Sequence, residues 1–183
     1  MFHRTRRMLM RPPWPEDSRA LHAGIADEAI VRNLATAPWP YLHEHAREFL
    51  QLPVEPGLPR FLLFEPNASG TRLVGSVGLG EHEGDVELGY WIARAHWGHG
   101  FATEAVLALL QIARTLGHTR LIASHFGDNP ASGAVLRKAG FKPTGTSSMR
   151  YSKARGAEAD GRDFTIDLTR TDIFCCESER RAA

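Results

Sequence analysis

Cysteine is nearly missing from this chain: of 183 residues only Cys175 and Cys176 carry a thiol, and they are adjacent near the C-terminus. Such a pair cannot build a disulfide framework, and it reads as reduced and incidental. An excess of one charge is also missing, with 22 Lys+Arg against 21 Asp+Glu and a net of +1. The chain therefore lacks the broad positive footprint that duplex nucleic acid requires, and no nucleic-acid partner is expected. No long hydrophobic run is present. The longest, Ala105–Leu110, is far short of the ~18 apolar residues of a membrane span. The basic start (Arg4, Arg6, Arg7, Arg11) runs into Pro12, Pro13 and Pro15 instead of an apolar segment, so no cleaved secretory signal is expected. Repeats and low-complexity segments are absent too. The expectation is a soluble, cytoplasmic protein with no membrane partner.

The composition that remains, 43% hydrophobic and 23% charged, is that of a folded globular chain. Its length argues for one domain, taken as residues 1–174, with 175–183 as a C-terminal tail. Met8-Leu9-Met10 reads as an edge strand. Helical spacing of Ala20, Leu21, Ile25, Ile30, Val31 and Leu34 predicts a helix from Asp17 to about Leu34, capped by Asp17 or Ser18. Pro38-Trp39-Pro40-Tyr41 breaks the chain before a second helix over Leu42–Leu50. Phe61–Phe64, Leu73–Leu79 and Val86–Ile92 read as an antiparallel meander, with turn chemistry at Pro66–Gly70 and Gly84-Asp85. The period then changes: Val106, Leu109, Leu110, Ala113 and Leu116 are helical, and Gly117 stands where a C-terminal cap belongs. Arg120–Ser124 is a strand. Asn129-Pro130 opens a helix to about Ala139, because Asn caps well and Pro fits the first helical position. Met149–Lys153 and Phe164–Leu168 form a last strand pair across a polar, mobile turn at Ala154–Arg162. The fold class expected is α+β: a mixed, mostly antiparallel central sheet of six to seven strands flanked by helices on both faces.

The most informative stretch is Ile92-Ala93-Arg94-Ala95-His96-Trp97-Gly98-His99-Gly100-Phe101-Ala102-Thr103-Glu104. A strand ends, glycines alternate with larger residues, and a long amphipathic helix begins. Glycine lets the backbone approach a ligand closely, and the unpartnered first N–H groups of a helix attract phosphate. The stretch is an anion cradle or a tight strand-to-helix turn. It is not a P-loop, since no Lys follows Gly98 or Gly100, and Gly75, Gly78 and Gly80 lead into a strand rather than the helix of a dinucleotide turn.

Three ordered pieces carry a resemblance: Glu87-Leu88-Gly89-Tyr90-Trp91-Ile92, the Trp97–Ala105 loop, and Asn129-Pro130-Ala131-Ser132 with Gly140-Phe141. Together with Thr5–Arg11, Asn33-Leu34-Ala35, Pro38–Tyr41 and Leu168-Thr169-Arg170, they resemble the GNAT acetyltransferases, and more narrowly the RimJ/RimL-like branch. The resemblance spans nearly the whole chain. It implies acetyl-CoA as acyl donor and no metal, with the pyrophosphate on backbone amides from Gly98 to Thr103. The cofactor set it implies is Ile92, Ala93, Arg94, Trp97, Gly98, His99, Gly100, Phe101, Ala102 and Thr103, joined by Asn129 and Ser132. Trp97 stands where the superfamily loop usually begins with Gln or Arg, which removes one phosphate contact that a protonated His99 would partly replace. Leu136 stands where other members carry a tyrosine, leaving Ser132, water or nothing as the acid.

An α-amino group near pKa 8 is partly neutral at pH 7, whereas lysine near 10.4 is not, and a thiol near 8.5 is a fair leaving group. Such chemistry gains from a general base. Glu87 is the candidate: strand alternation sets it with Gly89 and Trp91 on one face. A solvent-facing glutamate or an arginine partner is the structural alternative. Asn129 is a helix cap whose amide is free to meet the pantetheine arm. Ser132 either steers the thiolate or packs. A backbone amide near Trp91–Ala93 would polarise the carbonyl. Trp39 and Tyr41 line an acceptor pocket or simply pack. His43-Glu44-His45 and His96/His99 lack metal-ligand spacing. His125 is a proton relay or a loop histidine. With no placed nucleophile, transfer is expected to be direct, in a ternary complex, to an amine-bearing acceptor (a peptide N-terminus or a small molecule), by a monomer or homodimer. The other reading is a non-catalytic acyl-CoA-binding sensor.

Overall fold

Alternating apolar residues build strands whose two faces feed two separate cores. A computed structural model describes residues 1–67 and 70–169. The strands are β1 (His3–Arg4), β2 (Leu9–Arg11), β3 (Arg60–Asn67), β4 (Gly70–His82), β5 (Asp85–Ile92), β6 (Arg120–Phe126), β7 (Lys142–Ser152) and β8 (Ala157–Asp167). They form one eight-stranded sheet in the order β1-β2-β3-β4-β5-β6-β8-β7. Every neighbouring pair is antiparallel except β5 with β6. The class is the expected α+β, with one more strand than expected. The addition is β1, which pairs with β2, so Leu9-Met10 is not at the edge.

The helices are α1 (Ser18–Ile25), α2 (Glu28–Val31), α3 (His43–Gln51), α4 (Phe101–Thr115) and α5 (Pro130–Lys138). On one face α4 and α5 contribute Val106, Leu109, Leu110 and Leu136 to a core with Phe61, Leu63, Val74, Leu88 and Leu121. On the other, α1 to α3 pack Leu21, Ile25, Val31, Ala46 and Leu50 on Leu62, Phe64, Leu73 and Trp91. The single helix expected from Asp17 to Leu34 is two. The chain leaves helical geometry at Ala26, and Asp27 Oδ1 accepts from the Ala29 N–H at 2.9 Å, starting α2 afresh. Asp17 does not cap α1; its carboxylate pairs with Arg11 at 2.6 Å and accepts the Trp14 N–H at 2.8 Å.

Helix α4 closes with a Schellman motif: Gly117, at φ +90°, donates to Arg114 O, and the His118 N–H donates to Ala113 O, both at 3.0 Å. Asn129 caps α5, its Oδ1 accepting from the Ser132 N–H at 3.3 Å. The expected turn at Ala154–Arg162 shrinks to Lys153–Gly156, and Ala157–Arg162 is strand. These residues are polar because the outer hairpin is largely solvated, which erases the alternation that would mark a strand. The tail 175–183, with Cys175 and Cys176, lies outside the described residues.

Candidate active site

The parallel pair β5 and β6 is registered at one position, Glu87 with Ile122. Both strands continue beyond it without pairing, so the sheet opens toward Ile92 and Phe126. The Ala93 N–H donates to Val74 O at 2.8 Å. Because amide direction alternates along a strand, Trp91 also faces β4, and the Ile92 and Tyr90 amides face the opening. Of the amides expected to polarise a carbonyl, Ile92 is the one so placed. Its own carbonyl accepts from Trp97 Nε1 at 2.7 Å. Trp97 therefore braces the loop where a polar side chain was missing.

After β5, Arg94–His96 make a single 3-10 turn, and Gly98 and Gly100 take φ +78° and +79°. Those values favour glycine and aim the chain into α4. Nothing lies within 4 Å of a Cβ built on Gly98. No side chain caps α4, so the first-turn N–H groups of Phe101, Ala102 and Thr103 have no intrahelical acceptor. An open cradle of backbone donors at the positive end of a long helix fits a diphosphate. Arg94 leans away, ion-paired with Asp27 at 3.3 Å. His99 is exposed at the loop tip and His96 is buried beneath it. Burial pulls His96 below its ordinary pKa despite Glu65 nearby, keeping it neutral.

Sequence reasoning did not single out Arg7 for this loop. Its backbone N–H and Nε bind the two oxygens of Glu104 at 2.9 and 2.7 Å, and Nη1 donates to His99 O at 2.8 Å. Its guanidinium lies 4.2 Å from the Phe101 ring centroid. Burial raises the Glu104 pKa, but hydrogen bonds from Thr5 and Arg7 and the Arg7 charge outweigh it and hold the carboxyl below its ordinary range. Arg7 thereby neutralises the one carboxylate in the first turn of α4, which would otherwise repel a bound anion. Arg7→Met is expected to weaken CoA binding ~10-fold and cost about 1 kcal/mol of stability, discounted for a partly exposed pair. Glu104's folded pKa is depressed, so its contribution is present above its unfolded value. It is lost as pH falls through the folded one, and acid denaturation of wild type against variant reads it.

Glu87 points into the cavity side of the sheet. Its Oε1 accepts from Arg150 Nη1 at 2.7 Å and from Ser124 Oγ at 3.0 Å. Among the described residues Oε2 has no hydrogen-bond partner. Across the opening, Tyr90 Oη lies 2.8 Å from Ser132 Oγ. Burial pushes the Tyr90 phenol up to about 12, against the Ser132 hydrogen bond, so it stays protonated. Leu136 is buried in the core. Tyr90 thus brings a phenol to Ser132 from the strand rather than the helix, and its place in the alternation with Leu88 and Ile92 was the signal. His125 turns under α5: Nδ1 bonds Phe126 O at 2.8 Å and its ring fills the space a Cβ on Gly133 would need. Its ring also packs on Phe164.

A cavity of about 480 Å³ sits on the α1–α3 face, lined by Tyr41, Phe49, Arg60, Glu87, Trp91 and Lys153 among others. Its floor is glycine: Gly78 pairs with Gly89 and Gly80 with Glu87. A Cβ on Gly80 or Gly89 would meet nothing within 4 Å. Of the glycines set aside as a dinucleotide turn, Gly78 and Gly80 lie in this floor and Gly75 does not. Tyr41 is a wall residue, its phenol raised to about 12 by burial and then by Glu48. Trp39 is 43% exposed and does not line the cavity. Among the described residues no three His, Cys, Asp or Glu side chains gather as a metal site; His22 and His45 pack on Tyr41, and His43 packs on His22. No helix among the described residues is long and apolar enough to cross a membrane.

Residues 7–142 match the family model described as the acetyltransferase (GNAT) domain. The chain belongs to the GNAT acetyltransferase family. An uncharacterized N-acetyltransferase p20 of Bacillus licheniformis is 28% identical over 170 residues, covering 88% of this chain and 93% of that protein. A putative acetyltransferase from T. thermophilus superposes with a TM-score of 0.80 at 21% identity, covering 100% of this chain and 97% of that one. The ribosomal L7/L12 alpha-N-protein acetyltransferase RimL, in complex with coenzyme A, gives a TM-score of 0.73 at 20% identity over 91% of this chain and 98% of that one. In this GNAT domain the opening between β5 and β6, the loop before α4 and the start of α5 converge on one end of the sheet.

Proposed function

We propose that this GNAT domain transfers the acetyl group of acetyl-CoA directly to a primary amine bound in the cavity above the glycine floor. The observation that carries the reading is the convergence of an uncapped helix start, an open strand pair and a cavity holding Glu87 at a single edge. Acetyl-CoA supplies an activated thioester. The protein's part is to hold the diphosphate on the amides of Gly98–Thr103, to direct the Ile92 N–H at the developing carbonyl charge, and to take the amine proton at Glu87. Asn129 and Ser132 stand beside the opening where the pantetheine arm would pass, and Ser132, hydrogen-bonded to the neutral Tyr90 phenol, is placed to stabilise the departing thiolate. Tyr41 walls the acceptor. A peptide N-terminus suits this site, because its amine is already partly neutral and one of the solved relatives is an alpha-N-protein acetyltransferase.

The sensor reading draws on one observation, the ion pair already made by Glu87 and Arg150 at 2.7 Å. Thiol release measured with N-terminal peptides and small amines separates the two: an acetyltransferase releases CoA with at least one amine class, a sensor binds acetyl-CoA and releases none. Gly89→Leu is expected to raise the acceptor KM at least ~10-fold by filling the floor, with CoA affinity within ~2-fold of wild type. An unchanged KM would place the acceptor elsewhere.

A further inference from the structure

The cavity contains a cation for which acetyl transfer gives no use. Arg60 pairs in register with Gly78, and Gly78 with Gly89, so Arg60 rises on the same face of the sheet as Glu87. Its guanidinium is fixed 4.6 Å from the Phe49 ring centroid, and Nη2 donates to Leu52 O at 2.9 Å. Its Nε is buried with no hydrogen-bond partner. Among the described residues Arg60 makes no ion pair. Burial lowers its pKa and no carboxylate offsets that. The other charges around the cavity are answered or solvated. Glu87 is bound to Arg150, while Glu48, Glu81 and Lys153 are exposed at the rim, where water and salt screen them. Among the described residues lining the cavity, the one half-buried charge without an ion-pair partner is positive.

Stacking a guanidinium on an aromatic ring uses its face; with Nε shut from solvent and one Nη2 hydrogen given to Leu52 O, the Nη1 and Nη2 hydrogens at its end remain to take a carboxylate. Resting on the reading of this cavity as the acceptor site, we propose that Arg60 recognises an anionic group on the acceptor, and that the preferred substrate is a primary amine carrying a carboxylate some way along its chain. Arg60 and Glu87 stand two strands and two residues apart, which strand spacing puts at about 12 Å between their Cα atoms. Glu87 is drawn toward Ser124 and Arg150, on the side of β5 away from Arg60, so the span is not shortened from that end. An α-amino acid, with amine and carboxylate on one carbon, does not reach both. A peptide with an acidic side chain at its second or third residue does, and so does a linear amino acid with its two groups at opposite ends.

The test uses the whole protein and amidated tripeptides carrying glutamate, glutamine or lysine at the second or third position, with linear amino acids as a separate arm. Thiol release gives kcat/KM, and calorimetry gives the affinity of the N-acetylated peptides for the CoA-bound protein. At one of the two positions glutamate is expected to exceed glutamine at least ~10-fold in both readouts. That ratio should fall within ~2-fold in Arg60→Met and be partly kept in Arg60→Lys, with CoA affinity unchanged. A wild-type preference for glutamine or lysine, or equal use of all three, overturns the proposal without any variant; so does an acid preference that survives Arg60→Met. Arg60-dependent binding without thiol release would sink the transfer reading and leave Arg60 standing. Thiol release blind to the acid would do the reverse, and neither binding nor release overturns both. The better-used arm, peptide or linear amino acid, identifies the source of the carboxylate.

Discussion

Replacing Gly100 by aspartate is expected to lower CoA affinity at least ~100-fold, to the edge of detection by calorimetry. Two effects act in the same direction. Gly100 sits at φ +79° at the start of α4, a conformation that costs most side chains roughly 1–2 kcal/mol and aspartate somewhat less, so the loop is strained and the amides of Phe101, Ala102 and Thr103 are disturbed. The new carboxylate would also stand in the cradle we propose for the diphosphate. A Cβ at this position lies 3.6 Å from Arg7 Nη2, so the aspartate would compete for Arg7 and release the negative charge of Glu104 into the same field. Gly100→Ala separates the terms: it keeps the backbone strain without the charge and should lose only about tenfold. If both variants bind CoA as wild type does, the glycines serve only to turn the chain.

The residues that announced this site are those whose type is tied to backbone geometry. Gly98 and Gly100 before an amphipathic run, Asn129-Pro130, and Gly117 after the last helical apolar residue each have one good structural use, and the fold shows a turn into a helix, an N-cap and a C-cap at those places. What spacing could not show was how distant segments meet. Arg7 is separated from the loop it braces by about half the chain, and its basic neighbours in sequence make it look like one of a solvated set. Tyr90 belonged to the buried-type strand pattern, and only the sheet's opening at β5 and β6 brings it to Ser132. The same holds for Gly78, Gly80 and Gly89: in sequence they fall in two separate strands, whereas cross-strand pairing sets them together as a surface with no side chains. The helix expected through Ala26 failed for a local reason. Apolar spacing continues across Asp27, but the Asp27 carboxylate binds the backbone two residues on, which ends one helix and begins another.

Glu87→Gln should lower kcat/KM ~100- to 10,000-fold for an α-amine acceptor while leaving CoA affinity nearly intact. The substitution is well suited to the question because the side chain keeps its shape and the Arg150 contact has a substitute: glutamine can still accept from Arg150 Nη1, and Asp163 lies 3.8 Å from Arg150 Nε. What is lost is the ability of the second oxygen, the one facing the cavity, to accept a proton. Turnover of the variant should then climb with pH as the acceptor amine, near pKa 8, loses its proton to solvent unaided, whereas wild type levels off earlier. Arg150→Met completes the argument. If Glu87 serves only to neutralise Arg150, the two variants lose similar stability and neither changes kcat at saturating amine. If Glu87 takes the proton, Glu87→Gln removes turnover at little cost in stability. Arg150→Met instead leaves the carboxylate with Ser124 alone, still able to take the proton, and keeps more turnover than Glu87→Gln.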